Sequence, residues 1–279
     1  MRLKLDCQLR AATGIPVIFH VHNIYSTPTE YQQEDERRYF ENLESWLIRE
    51  SAAIIPVSDY IGQMCLRLGT DAEKMTVIPK AVHLEEYAGD WQPHDRQTVL
   101  FVGRLSPEKG LDTLFAAVAL MRDAGTPVRL LVAGTGEDAY VEKLFRQVDE
   151  LDLRRHVAFL GFVGGRDLVR LYQTSSVTVV PGHMEAFGRV AIEAMAAGAP
   201  VVVSDVGGLG PLVRPSETGW RVPAGNPEAL AGTLTEALTD QEKASRLAAE
   251  GRTEARSLYS WERVLKATVD VYLRVARGR

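Results

Sequence analysis

Thr98-Val99-Leu100-Phe101-Val102-Gly103-Arg104-Leu105-Ser106-Pro107-Glu108-Lys109-Gly110-Leu111 decides the fold class. An apolar, β-branched run ends at Val102, Gly103 permits a tight turn, and helical spacing begins near Gly110 and continues over Leu111–Arg122. A continuous apolar strand followed by a helix is the signature of a parallel sheet covered on both faces. The same alternation extends in both directions. Further strand candidates are Val17–Val21, Ala53–Val57, Met75–Pro79, Val128–Ala133, Val157–Leu160, Val177–Val180 and Pro200–Ser204. Helical spacing marks Tyr31–Arg49, Tyr140–Glu150, Asp167–Tyr172 and Val190–Ala197. No internal repeat or low-complexity tract interrupts the pattern. The expected class is α/β, doubly wound.

Composition narrows the function classes. Of the 279 residues, 46% are hydrophobic and 25% charged, an ordinary globular balance. The net charge of −5 argues against a nucleic-acid binder, whose footprint should be basic. No window approaches the ~18 consecutive apolar residues of a membrane span. The start, Met1 to Asp6, has no apolar core of a signal peptide. Cys7 and Cys65 lie far apart without metal-ligand spacing, as in a reduced cytoplasmic protein.

The polar, turn-rich stretch Tyr87–Gln97 reads as a linker. The expected division is a partial N-terminal domain over 1–85, a linker over 86–97, a self-sufficient second domain over 98–258 and a C-terminal helix over 259–279 that packs back toward the N-terminal domain. Leu3–Ala12 looks like a helix whose preceding strand is absent from the sequence. In the last helix, Ser260 is a candidate N-cap, and Trp261, Val264, Leu265, Tyr272 and Val275 share one side. Its basic residues Arg263, Lys266, Arg274, Arg277 and Arg279 suit peripheral contact with the inner membrane face, or simply the solvated end of a packed helix.

Two segments carry candidate chemistry. Arg104 and Lys109 flank the turn at the carboxyl edge of a parallel sheet, where open α/β folds bind ligands. Two cations at a helix start suit a diphosphate, although solvated surface cations would look the same. The second segment runs from Pro181 through Glu185-Ala186-Phe187-Gly188 and Glu193 to Gly198-Ala199-Pro200. Its helix should open near Phe187–Gly188, with their amides toward an anion, Glu185 in the loop before it and Glu193 about two turns in. Two carboxylates at different depths can accept from sugar hydroxyls. The plain alternative is one acid complementing the helix dipole and one exposed mid-helix acid.

In order along the chain stand Gly103-Arg104-Leu105-x₃-Lys109-Gly110, Gly134-x-Gly136-Glu137, Gly161-Phe162-Val163, Glu185-x-Phe187-Gly188-x₄-Glu193, Asp205-Val206-Gly207-Gly208 and Glu217-x-Gly219. Together they resemble the C-terminal domain of the family 4 glycosyltransferases, which have the two-domain GT-B fold. The resemblance covers residues 75–270 well and 1–60 more loosely. It implies a Rossmann-like C-terminal domain plus a partial Rossmann-like N-terminal one. It further implies retaining, metal-independent sugar transfer from a nucleotide-diphosphate sugar, UDP- or GDP-linked, in a cleft between two domains. By the same resemblance Arg104 and Lys109 bind the diphosphate and steady the departing nucleotide. Glu193 would accept from the ribose, and Glu185 would face the transferred sugar beside Ala186, Phe187 and Gly188. Gly103, Gly134, Gly136, Phe162 and Val163 would complete the donor wall around the base. No cofactor or metal is implied, and no Asp-x-Asp pair occurs in the sequence.

Upstream, Ile15–Asn23 resembles the family's strand that ends in a cleft histidine. His22 is the match, with His20 two residues back on the same face; a satisfied core histidine is the competing reading. Val57-Ser58-Asp59 matches a strand-to-helix turn, whereas Lys80 and Ala81 stand where the family has Asn and Gly. A GT-B enzyme needs two domains of roughly 150–200 residues, which makes this chain about a hundred residues short. The front would then be truncated or supplied by a second polypeptide, with self-association as another outcome of an uncovered strand edge. A non-catalytic nucleotide-sugar module and one subunit of a split enzyme therefore stand beside the transferase. A phosphorylase is disfavoured because no cofactor-lysine motif is found. The acceptor (saccharide, lipid or small molecule), the base and the sugar are left open.

Overall fold

The computed structural model describes residues 13–26, 34–95 and 97–278, so the helix expected over Leu3–Ala12, Cys7, the start of the Tyr31–Arg49 helix and Arg279 lie outside the described residues. The chain divides into two compact units. Unit 1 is Met1–Ala81 with Trp261–Arg279, and unit 2 is Val82–Ser260.

In unit 1, β1 (Ile18–Val21) pairs in parallel with β2 (Ala53–Pro56), Ile18 opposite Ala53 and His20 opposite Ile55. The crossover is α1 (Glu34–Glu50), with Glu34, Asp35 and Glu36 in the first turn and Arg49 in the last, the charge order that the helix dipole favours. Helix α2 (Asp59–Arg67) is capped by Ser58, whose side chain accepts from the Ile61 amide. The strand expected over Met75–Pro79 does not form as a regular element. Thr76 N–H and Ile78 N–H donate to Ile54 O and Pro56 O at 2.9 and 3.0 Å. Pro56 and Pro79 have no N–H with which to extend that ladder.

Unit 2 contains β3 (Thr98–Val102), α3 (Leu111–Asp123), β4 (Arg129–Ala133), α4 (Asp138–Glu150), β5 (Val157–Gly161), α5 (Gly165–Thr174), β6 (Val177–Val180), α6 (Arg189–Ala196), β7 (Val201–Ser204), α7 (Leu209–Leu212), β8 (Trp220–Val222), α8 (Pro227–Thr239) and α9 (Gln241–Leu258). The six strands form one parallel sheet in the order β5-β4-β3-β6-β7-β8. The order in which strands are added reverses between β3 and β6, so the loops leaving those two parallel strands diverge around a crevice. Phe101, Leu114, Phe115, Val118, Leu130 and Val177 are buried together in the core.

Three further features depart from the sequence reading. Strand β8 was not expected, because three residues with an exposed Arg221 in the middle carry no readable period. The stretch 83–95 is strapped onto unit 2 instead of hanging as a linker. Tyr87 is buried beside Tyr172, Trp91 Nε1 donates to Ser175 O at 2.7 Å, and the Gln92 and His94 amides donate to Gln173 O and Thr174 O. Finally, in α10 (Trp261–Arg277) the apolar surface splits. Val264, Ala267, Val271 and Val275 pack on Ala53, Ile55 and Ile78, whereas Trp261, Leu265 and Tyr272 are about half exposed. The stripe is wider than one packing face, and the half centred on Val271 takes the contact. Arg274 on this helix donates to Thr76 Oγ1 at 2.8 Å. No helix among the described residues is long and apolar enough to cross a membrane.

The turns after the strands are set by close backbone approach. Gly134 has φ +152°, and a Cβ there would fall 1.7 Å from Gly103 O. Gly125, at φ +75°, has open space where its Cβ would be. Gly125→Ala should therefore cost only the left-handed backbone penalty of about 1–2 kcal/mol. Gly134→Ala must also push the β3 and β4 loops apart and should cost clearly more. Urea unfolding of both variants checks this; equal midpoints would refute the close-approach argument.

Candidate functional site

The loops leaving β3, β4 and β5 stay paired beyond the strands. Gly103 N–H donates to Ala133 O at 3.0 Å, Gly134 N–H to Gly161 O at 2.7 Å and Leu105 N–H to Thr135 O at 2.8 Å. Gly103, Gly134 and Gly136 thus belong to one continuous wall along the carboxyl edge of the sheet. Gly110, at φ +70°, closes the β3 loop against the β6 loop, since a Cβ there would stand 2.1 Å from Pro181 O. His183 N–H adds a bond to Glu108 O at 2.9 Å.

That contact brings Lys109 to Glu185. Lys109 Nζ lies 2.8 Å from Glu185 Oε2, with both side chains about four-fifths buried. The Phe187 amide donates to Glu185 Oε1 at 3.4 Å, so one carboxylate takes a side-chain cation and the amide just before α6. Ala186 is fixed by the neighbouring turn, in which Gly208 N–H donates to Glu185 O at 2.8 Å. Gly188, the residue before the helix, has φ +97°. Phe187 is buried, its ring edge-on to Tyr259 at 6.0 Å. Arg104 is largely exposed and held by Glu108, whose Oε1 lies 2.8 Å from its Nη2 and 2.7 Å from Ser106 Oγ. Burial pushes the Glu108 carboxyl up, but bonds from Ser106, its own amide and Arg104 outweigh that and hold it below its usual range.

Glu193 corrects the picture of an exposed mid-helix acid. It sits just over one turn into α6, not two, and is 5% exposed. Tyr172 OH donates to its Oε2 at 3.0 Å, and Arg189 Nε to its Oε1 at 2.6 Å. Burial and the Glu193 charge raise the Tyr172 and Tyr87 phenols well above their usual range, so both remain protonated donors. Arg189 follows the one-turn spacing from Glu193 and was readable on that ground. Tyr87 and Tyr172 arrive from distant elements and leave no signal in the sequence.

The other candidates are placed differently. Phe162 is 81% exposed and lines, with Val163, a cavity of about 640 Å³ whose walls include Thr98 and Arg129, the first residues of β3 and β4. The loops carrying Lys109 and Glu185 do not line it. In unit 1, His22 follows the end of β1 and His20 lies within it, the ring centroids 6.4 Å apart. His20 Nε2 is 3.3 Å from Tyr272 OH. Burial lowers both imidazoles, and Lys80 and His20 lower His22 further. Cys65 is buried and its thiol is pushed up to about 11, chiefly by burial. Among the described residues no group of three or more His, Cys, Asp or Glu side chains gathers as a metal cluster.

Against known proteins, residues 86–254 match the model described as Glycosyl transferases group 1, and residues 5–86 match Glycosyltransferase Family 4. The chain is 33% identical over 283 residues to an uncharacterized glycosyltransferase, MJ1607, of Methanocaldococcus jannaschii, covering 96% of this chain and 72% of that protein. Among solved structures, the sucrose-phosphate synthase of Thermosynechococcus elongatus superposes with a TM-score of 0.89 at 29% identity, covering 99% of this chain and 72% of that one. HepE of Anabaena, in complex with UDP-glucose, gives 0.84 at 25% identity, covering 99% and 76%. The fold of these neighbours is GT-B. The chain spans between 50% and 72% of the length of the curated relatives that it matches.

Two outcomes follow from this geometry. Tyr172→Phe takes a donor from a buried carboxylate and should destabilise the protein by about 1–3 kcal/mol in chemical denaturation; no loss would show that the bond is not made. The lowered histidines mean that the unfolded chain binds protons first as pH falls through 6.5. Stability is therefore full above that pH and declines below it, until the folded-state values are passed. The double variant His20→Asn/His22→Asn should flatten the decline in pH-dependent melting.

Proposed function

The chain belongs to the group 1 glycosyl transferases, and from that premise we propose that it moves a sugar from a nucleoside-diphosphate sugar to an acceptor hydroxyl, retaining anomeric configuration and using no metal ion. The observation that carries this reading is the Lys109–Glu185 pair, made by loops from β3 and β6 at the sheet's switch point. A diphosphate offers Lys109 and the Phe187 amide a stronger anion than the carboxylate they now share. On donor binding both turn to phosphate oxygens, and Glu185 is released to accept from the sugar hydroxyls. Arg104, braced by Glu108 and Ser106, supplies the second cation.

These two cations do the charge neutralisation that a divalent ion would otherwise provide as the diphosphate leaves. The anomeric C–O bond to the diphosphate breaks. The acceptor oxygen bonds on the face being vacated, and the hydroxyl proton passes to the departing phosphate oxygen. The neutral imidazole of His22 is suited to accept a hydrogen bond from a hydroxyl group. Glu193, already fixed by Tyr172 and Arg189, has lone pairs left for the ribose hydroxyls, while Gly134 and Gly136 form the wall near the base. Similarity to HepE, a protein in complex with UDP-glucose, favours a uridine donor over a guanosine one.

A nucleoside diphosphate at about a hundred times its dissociation constant should stabilise the chain by roughly 2.7 kcal/mol in EDTA. Glu193→Ala should weaken the free nucleotide. Glu185→Gln frees Lys109, so it should leave nucleotide affinity equal or tighter and weaken only the intact sugar nucleotide. Calorimetric titration separates the two, and equal weakening of the free nucleotide by both variants would disprove the assignment. No thermal shift with any nucleoside diphosphate, in EDTA or in magnesium, would remove the donor site itself.

A further inference from the structure

Helices α1 and α2 of unit 1 frame a cavity that sugar transfer at the donor site does not use. Arg37 and Glu41 stand one turn apart on α1, and Tyr60, Met64 and Arg67 recur along one side of α2. With Ser26 and neighbouring apolar groups they line about 510 Å³, within the range of small-molecule sites.

Of the two arginines that line the cavity, Arg67 is exposed and Arg37 is partly buried. Arg37 Nε is buried and has no hydrogen-bond partner. A charged donor is costly to bury unpaired, so such an orphan points to a ligand atom. Among the described residues no ion pair involves Arg37 or Arg67. Glu41 lines the cavity without pairing to either. Glu44, the buried acid nearby, is already committed, accepting from Tyr25 N at 2.6 Å and from the amide and hydroxyl of Ser26 at 3.1 and 2.6 Å. Burial raises the Tyr60 phenol against the opposing charge of Arg67, so its hydroxyl is a proton-bearing donor within that guanidinium's field.

We infer that this cavity binds a phosphate monoester through Arg37, Arg67 and Tyr60. Three terminal phosphate oxygens match three donor groups, two of them forks that phosphate accepts in bidentate fashion. A carboxylate has one oxygen fewer and would leave a donor unmet. Met64 lies against the carbon portion of the ester. The same headgroup can belong to a soluble sugar phosphate or to a phospholipid.

The test is calorimetric titration of the full chain, at fixed chloride, with inorganic phosphate, with glucose 6-phosphate and with vesicles of phosphatidic acid in phosphatidylcholine. Saturable binding is expected for phosphate, and tighter binding for one of the esters identifies the source. Arg37→Gln and Arg67→Gln should each weaken phosphate about tenfold or more. Glu41→Gln, at an exposed position, should tighten it about twofold to fivefold by removing a like charge. Absence of saturable binding, or affinity unchanged by all three substitutions, overturns the inference. Should the arginine variants fail to fold, unchanged affinity in Glu41→Gln overturns it alone. A nucleoside diphosphate titrated into the same samples reads the donor site independently, so a failure here leaves that result standing.

Discussion

Lys109 and Glu185 are 76 positions apart in sequence, and the 2.8 Å contact between them fixes the distance between the two loops that flank the switch point. A pair about four-fifths buried gives up much of its hydration, and removing one partner would leave the other charged with little water around it. The contact can form only because Gly110 lets the backbone of one loop reach Pro181 of the other, and because β3 and β6 are adjacent though distant in sequence. The Phe187 amide, the turn through Gly208 and the start of α6 are all positioned from the same carboxylate or its backbone.

Much of this was legible in the amino-acid order. Thr98–Val102 and Val177–Val180 are continuous apolar runs, and that continuity alone places them inside a covered parallel sheet. The strand–turn–helix order then sends Arg104, Lys109 and Glu185 to the carboxyl edge. What could not be read was which groups would meet across the fold. The Tyr172–Glu193 bond joins α5 to α6, and nothing in either helix specifies it. The strap over 83–95 reads as a linker because its hydrogen bonds use Trp91 and backbone groups, which leave no periodicity. In α10 the apolar stripe is broader than one contact face, and sequence spacing cannot say which half is packed.

The two carboxylates of α6 and its preceding loop illustrate how burial separates like residues. Glu185 is held by one mobile ammonium and one long amide bond, contacts that a competing anion can take over. Glu193 is held by a buried phenol and a guanidinium on its own helix, and Tyr87 adds a second buried phenol in the same cluster. Exchanging that set for ligand hydroxyls would strand buried donors, at a cost of about 1–3 kcal/mol each. The first acid is thus built to change partners and the second to stay where it is, offering only its remaining lone pairs.

Unit 1 applies the same logic with opposite charge. Its histidines are lowered by burial, and Lys80 adds a cation near His22 with no carboxylate among the causes that act on either imidazole. Both are therefore neutral near pH 7 and act as hydrogen-bonding groups rather than charges. Elsewhere in the unit the guanidiniums of Arg37 and Arg67 line the cavity between the helix pair. Neutral acceptors at the end of a strand suit hydroxyls, and unpaired guanidiniums between helices suit an anion. A single ligand bearing both groups would need to span the two places, whereas two ligands would not. The distance over which one molecule can bridge them therefore limits what unit 1 can recognise as a single substrate.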